Sequence, residues 1–251
     1  MDIPALPPGF VVDAPALLGR AVLGQQWRDL AFLHWPVAVS TVQRFFPPGT
    51  RPDVLDDPAT TYVGLVPFTM VGAGIGRRWP VPWAGTFLET NVRLYSVDAQ
   101  GRHGVVFRSL DASRLLPVLA AHVGYGLPYV WSRMSRSVQP AAEGEVRTWT
   151  CARRLSLVRS RISVRVGPPV EPTPLDVFLT ARWGLHARHL GRTWWVPNEH
   201  STWPLRAAEV LELDDGLRAA AGVQVSGLPP LVRFTPGVRT AFGAPVPLPS
   251  A

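Results

Sequence analysis

The sequence predicts one domain of the α+β class, mainly β, in which a curved antiparallel sheet carries one amphipathic helix. Short runs that alternate apolar and polar residues recur along the chain, which is the period of a strand with one buried face. Helical spacing is confined to a few segments, the clearest being 113–124. No internal repeat or linker divides the chain. With 251 residues, 47% of them hydrophobic and 17% charged, it has enough apolar side chains to fill one large core.

Taken in order, residues 1–16 are proline-rich and poor in charge, and are expected to form an extended arm. A short helix within 17–35 is expected to lead into the aromatic strand around Trp27–Trp35. Pro47-Pro48-Gly49-Thr50 is a turn. Asp53, Asp56 and Asp57 follow in a loop whose spacing is not that of a calcium-binding hand, so a solvated acidic loop is expected. Thr61–Phe68 is a buried strand. Val71–Trp83 carries Gly72, Gly74 and Gly76, but Arg77-Arg78-Trp79-Pro80 cannot open the helix that a phosphate-cradling loop requires. It is expected to be a rim loop, with Trp79 and Trp83 free to cover an opening. Phe87–Asp98 is the clearest strand, and Val105–Arg108 follows a turn.

The chain then reaches the stretch around which it is organised, Arg108–Met134. Asp111 and Ser113 are placed to cap a helix. Leu115, Leu116, Leu119, Ala120 and Val123 form one stripe at helical spacing. Gly124 or Gly126 can end the helix, and Pro128 forbids its continuation. His122 lies at the edge of the stripe, with Tyr125 and Tyr129 in the exit loop. Beyond it, 146–151 and 155–166 are expected to be long strands. Thr173 and Pro174 begin a short helix. Residues 183–196 form a hairpin, and 207–213 a further strand before the turn at Asp214-Asp215-Gly216. The single domain is expected to span 17–227, with 228–251 a Pro/Gly-rich tail.

Several pieces carry a family resemblance: Phe32-Leu33-His34-Trp35-Pro36-Val37, Val63-Gly64-Leu65-Val66-Pro67-Phe68, Phe87-Leu88-Glu89-Thr90-Asn91-Val92-Arg93, and the strand, Ser109-Leu110-Asp111, helix, Leu127-Pro128-Tyr129 order. Together they resemble the uncharacterised bacterial YqjF-like family over most of 25–215. That family is similar in fold to acetoacetate decarboxylase, which implies a closed, cone-like antiparallel β-barrel with an internal pocket and a packed central helix. In the decarboxylase a Gly-x-Pro-Lys motif supplies a Schiff-base lysine. Gly126-Leu127-Pro128 matches that motif here, and Tyr129 stands at the lysine position. The resemblance also implies that Glu89 corresponds to a pocket-lining glutamate.

All 25 basic residues are arginine, so no encoded side chain can form an imine with a carbonyl compound. The single cysteine, Cys151, excludes an internal disulfide. The amino-terminal residues lack the pattern of a secretion signal, and no apolar run is long enough to span a bilayer. A cytoplasmic location is therefore expected. The net charge of +7 raises nucleic-acid binding, but the arginines are spread along the chain without a dense run. A small anionic or carbonyl-bearing ligand is the expected partner, with no metal, no cofactor and no membrane, and a homo-oligomer stays open.

The candidate site residues are Glu89, Asn91, Arg93 and Tyr129, joined by Arg108 and His122. The period of two puts Glu89, Asn91 and Arg93 on one strand face. That face is either a structural ion pair or wet surface, or the lining of a cavity in which arginine anchors a carboxylate. Tyr129 either donates a hydrogen bond to a ligand or fills the mouth of the fold. His186 and His189, three apart on a strand, face opposite ways and are not expected to share a metal. Glu199-His200-Ser201 is adjacent only in sequence and is not taken as a triad. Two function classes follow: a pocket for an organic carboxylate or carbonyl compound, and a basic protein contacting nucleic acid. A non-catalytic structural member of the fold is a third.

Overall fold

In the computed structural model, which describes residues 5–7, 9–77, 79–115 and 126–249, two long strands form the spine: β1 (Leu23–Ala38) and β3 (Thr60–Ile75). Residues Leu30–Trp35 of β1 are buried without interruption. A run so continuously apolar is stable as a strand only where both faces are covered. The helix expected within 17–35 is absent from the described residues: Leu23 already pairs with Ile75 on one side and Phe242 on the other. Pairing on both edges outweighs the local helix propensity.

β5 (Phe87–Asp98) lies antiparallel to β3 and to β6 (His103–Ala112), in agreement with the reading of that strand. From β6 the sheet branches. One branch runs through β7 (Tyr129–Pro140), β8 (Glu145–Arg153), β9 (Arg159–Pro169), β12 (Arg206–Asp215) and β13 (Leu231–Phe242) back to β1. The other runs through β10 (Gly184–His189) and β11 (Arg192–His200) to β13. These pairings close the sheet into a ring, with short β2 (Thr50–Pro52), β4 (Trp79–Pro80) and β14 (Val246–Pro247) at its margins. The sheet is mixed rather than wholly antiparallel, because β6 pairs in parallel with β7 and with β10. The connection 113–128 is long enough to return the chain for a parallel pairing.

Residues 231–242 are not part of a tail. β13 pairs with β1 across eleven positions and also touches β11 and β12. Their Pro/Gly-rich surroundings hid an alternating strand whose partner lies some two hundred residues away. Val71–Ile75 likewise extends β3 and turns back as β4, so the rim loop is a hairpin at that point. Trp79 and Trp83 are exposed, and Trp83 lies under the Arg114 guanidinium at 4.2 Å.

Thr173 caps the helix Pro174–Thr180 through a reciprocal bond with Asp176, as its sequence indicates. The centre of the helix read at 113–124, with His122 and Tyr125, lies outside the described residues. Among the described residues, Asp111 caps no helix. It is fully buried in β6, where Arg153 donates to both its carboxylate oxygens and Ser132 adds a third bond. Ser113 accepts the backbone N–H of Leu88, and the helix turn it is expected to cap lies outside the described residues. No helix among the described residues is long and apolar enough to cross a membrane, a statement that leaves strands aside.

Candidate ligand cavity

The alternation of β5 sorts its side chains. Val92 and Leu94 pack into an apolar cluster with Leu33, Leu65, Trp149 and Ile162. Glu89, Asn91 and Arg93 turn the other way and line a cavity of about 150 Å³. A void of that size in an apolar core accepts a ring as large as benzene. Trp27, Phe68, Phe107, Trp203 and Phe242 supply much of its wall.

Tyr129 is the first residue of β7, not a loop residue, and it also lines the cavity. Its placement begins at Gly126, whose φ of +64° is disfavoured for other residues and where a Cβ would lie 2.7 Å from the Arg188 carbonyl oxygen. The parallel pairing of Leu110 with Tyr129 then fixes the phenol beside β5. Its hydroxyl donates to Glu89 Oε2 at 3.0 Å. Tyr129 on β7 and Glu89 on β5 are thus in direct contact across the intervening strand β6.

Burial pushes the Glu89 carboxyl up to about 8, although hydrogen bonds from Tyr129 and Asn91 favour its ionised form. The group is therefore mostly protonated at neutral pH. Burial also raises the Tyr129 phenol well above its ordinary value, and the adjoining carboxylate adds to the rise.

Arg93 does not pair with Glu89. It donates to the Tyr95 hydroxyl at 3.1 Å and to the Leu179 carbonyl at 3.3 Å, and has no carboxylate partner among the described residues. A second guanidinium, Arg182, lines the same cavity, and no local pattern in the sequence marks it. It is buried, bonded to Asp53 and to the Phe178 carbonyl, while its Nη2 has no hydrogen-bond partner. Asp53 is thus a buried counterion, also bonded to His103, and not one member of a solvated acidic loop. With Glu89 neutral and Asp53 balancing Arg182, Arg93 leaves the cavity with an excess positive charge.

His200 is a further lining residue. Burial pushes its pKa down to about 4, so the ring is neutral near pH 7. Its Nδ1 lies 2.8 Å from the Ser201 carbonyl oxygen, which can only accept, so the proton belongs on Nδ1 and Nε2 is the acceptor. Asn91 Oδ1, Asn198 Oδ1 and Trp27 Nε1 are buried polar atoms without partners, and all three residues line the cavity. Unsatisfied groups are uncommon in a finished core, and their concentration here suits a ligand or ordered water.

Arg108 does not join these residues. A bulge in β6 sets Val92 opposite Ser109 and Arg93 opposite Phe107. Strict alternation from Leu110 would turn Arg108 inward, and the extra residue turns Phe107 inward instead. Arg108 donates to the Ala221 carbonyl and stacks on Phe45 outside the cavity. Sequence periodicity cannot anticipate a bulge. Arg182, Asn198, His200 and Trp203 were equally hidden, because they come from distant segments that meet only when the ring closes.

Residues 24–239 match the family model DUF2071, described as an uncharacterized conserved protein. The chain belongs to this family. It is 26% identical over 216 residues to the uncharacterized protein YqjF of Bacillus subtilis, covering 86% of this chain and 88% of that one. Solved structures share the fold at lower identity. An acetoacetate decarboxylase-like enzyme from Sphingomonas wittichii RW1 aligns with TM-score 0.63 at 12% identity, over 98% of this chain and 100% of that one. The acetoacetate decarboxylase of Legionella pneumophila gives 0.60 at 10%, over 92% of each chain. The enduracididine biosynthesis enzyme MppR, solved with the condensation product of pyruvate and imidazole 4-carboxaldehyde, gives 0.62 at 15%, over 92% of this chain and 91% of that one.

Proposed function

We propose that the ring acts as a closed barrel whose cavity binds a small organic carboxylate or carbonyl compound, without imine chemistry. The observation that carries this reading is the contact of buried Glu89 with half-buried Tyr129 in the same cavity as Arg93, a cation without a carboxylate partner among the described residues. Arg93 offers charge to an anionic group, and its planar fork suits a carboxylate. Protonated Glu89 can donate to a carbonyl oxygen, and with a pKa of about 8 it can give or take a proton near neutrality. The aromatic wall favours a ligand with an apolar body. The fold neighbours support the reading, since one of them was solved with a pyruvate condensation product. The absence of lysine separates this chain from the Schiff-base route. On this reading a ligand-binding role is proposed over nucleic-acid binding and over a purely structural role, and the cytoplasm is the proposed location.

A thermal-shift screen of small 2-oxo and 3-oxo acids tests it. At least one should raise the melting temperature of the wild-type protein. Arg93→Ala should weaken that ligand about tenfold or more, the loss of a charge-assisted contact. Arg206→Ala should leave the ligand's effect unchanged. Equal losses from both variants would reduce Arg93 to a general charge. Borohydride added with pyruvate should leave the mass unchanged at every internal residue.

A further inference from the structure

A second space lies on the other side of the cavity wall. Phe107 and Leu127 line the cavity and also a separate groove of about 270 Å³. The groove is edged by three arginines, Arg44, Arg108 and Arg188, and no acidic side chain among the described residues lines it. None of the three has a carboxylate partner among the described residues. Elsewhere on this chain, arginines are commonly paired: Arg102 with Asp98, Arg153 with Asp111, Arg161 with Glu212 and Arg218 with Asp215. Residues 116–125, which precede the groove residue Gly126, contain no Asp or Glu, so that segment brings no counterion.

Arg108 is not a freely solvated charge. Its Nε and Nη2 both donate to the Ala221 carbonyl oxygen, and its guanidinium lies 3.8 Å from the Phe45 ring centroid. The Arg44 guanidinium contacts the same ring at 4.6 Å. Burial lowers the Arg108 pKa, and the charge of Arg44 lowers it further. Two like charges are thus held on one aromatic ring, with a third at the edge of the same groove. Such an arrangement carries a repulsion that an anion would relieve.

We propose that this groove is a binding site for a multiply charged oxyanion group of the phosphate type. A monocarboxylate would leave most of the positive charge unmatched, whereas a phosphate or pyrophosphate group offers several acceptor oxygens to the guanidinium groups that line the groove. The site is separate from the proposed carboxylate cavity and stands whether or not that cavity binds a ligand.

Isothermal titration of the full-length protein with inorganic pyrophosphate at low ionic strength tests the assignment. Arg44 and Arg188 are exposed and can be replaced without opening the core. Arg44→Ala and Arg188→Ala should each weaken pyrophosphate by roughly tenfold, in line with a charge-assisted bond. Arg239→Ala, which removes one exposed charge outside the groove, should change it less than twofold. Acetate should bind far more weakly than pyrophosphate. The proposal is overturned by no heat of binding at millimolar pyrophosphate, by equal weakening in all three variants, or by acetate binding as tightly. Tight binding of a short DNA duplex that all three substitutions weaken alike would assign the surface to a polyanion and overturn it too.

Discussion

Two buried polar clusters in this chain look equally capable of chemistry, and they differ in what remains unsatisfied. In one, Ser96, His186 and Asp98 form a chain of hydrogen bonds: Ser96 Oγ to Nδ1 at 2.8 Å, Nε2 to Asp98 at 3.1 Å. Residue types and order resemble those of a nucleophilic triad. Yet Ser96 is fully buried and lines neither the cavity nor the groove. Asp98 is also committed to Arg102 and to the backbone N–H groups of Gln100 and Arg102. In the other cluster, Glu89 and Tyr129 contact each other and face a cavity whose walls hold unpaired polar atoms. The first braces a turn between β5 and β6. The second has empty space beside it. A triad-like order is weaker evidence than access to a cavity, because chemistry needs room for a substrate.

The two clusters are expected to respond differently to mutation. The largest effect should come from the satisfied one. Asp98→Ala strands His186, Arg102 and two backbone donors, and should cost about 4 kcal/mol, the order seen when one partner of a buried ion pair is removed. Chemical denaturation reads this directly, and a cost below about 1 kcal/mol would show that the cluster is solvated. The pH dependence follows from the carboxyl itself. Burial pushes Asp98 up, but hydrogen bonds from His186 and Arg102 together outweigh it and hold the pKa at about 2, below the ordinary 3.8. Its contribution is therefore present above pH 3.8 and is lost as pH falls toward 2.

Glu89→Gln should act in the opposite direction. A carboxyl with a folded pKa of about 8, against 4.5 ordinarily, keeps its proton where the unfolded chain has lost it. Its cost is absent below pH 4.5, grows as pH rises, and is complete above about 8. The glutamine variant should match the wild type near pH 4.5 and be more stable by about 3 kcal/mol near pH 9, allowing for water entering the cavity. A stability difference that stays flat with pH would mean that Glu89 is ionised throughout.

Legibility followed the range of the interactions involved. β5 was readable because alternation is local, and so was the Thr173 cap, which needs only its neighbours. The same alternation brought Glu89, Asn91 and Arg93 together. Tyr129 came from the resemblance and not from periodicity. β13 was missed because its stability resides in pairing with β1, β11 and β12, while its sequence shows mainly proline and glycine nearby. Asp53 looked like a loop acid because its partners, His103 and Arg182, are remote in sequence. Arg108 was misplaced by one bulge, and His122 lies outside the described residues. Counterions, bulges and closure of the ring are three-dimensional facts that leave little trace in a window of a dozen residues.

The smallest expected effect lies at Tyr129. Tyr129→Phe removes one hydroxyl and leaves the ring that packs beside the core of Leu30, Phe68 and Trp203. The lost bond to Glu89 Oε2 should cost about 1 kcal/mol near neutral pH, where the carboxyl is mostly protonated. It should cost more at high pH, because a hydrogen bond to an ionised acceptor is the stronger one. The carboxyl pKa must then move upward, since Tyr129 is among the groups that favour the charged form. A rise of about one unit is expected from the strength of such a bond. Carbon-13 NMR of the Glu89 carboxyl, titrated in both proteins, measures it. An unchanged titration would separate the phenol from the carboxylate and leave Tyr129 as a packing residue. A downward shift would mean that the variant admits water, so that the enclosure, and not the hydroxyl, sets the proton affinity of Glu89.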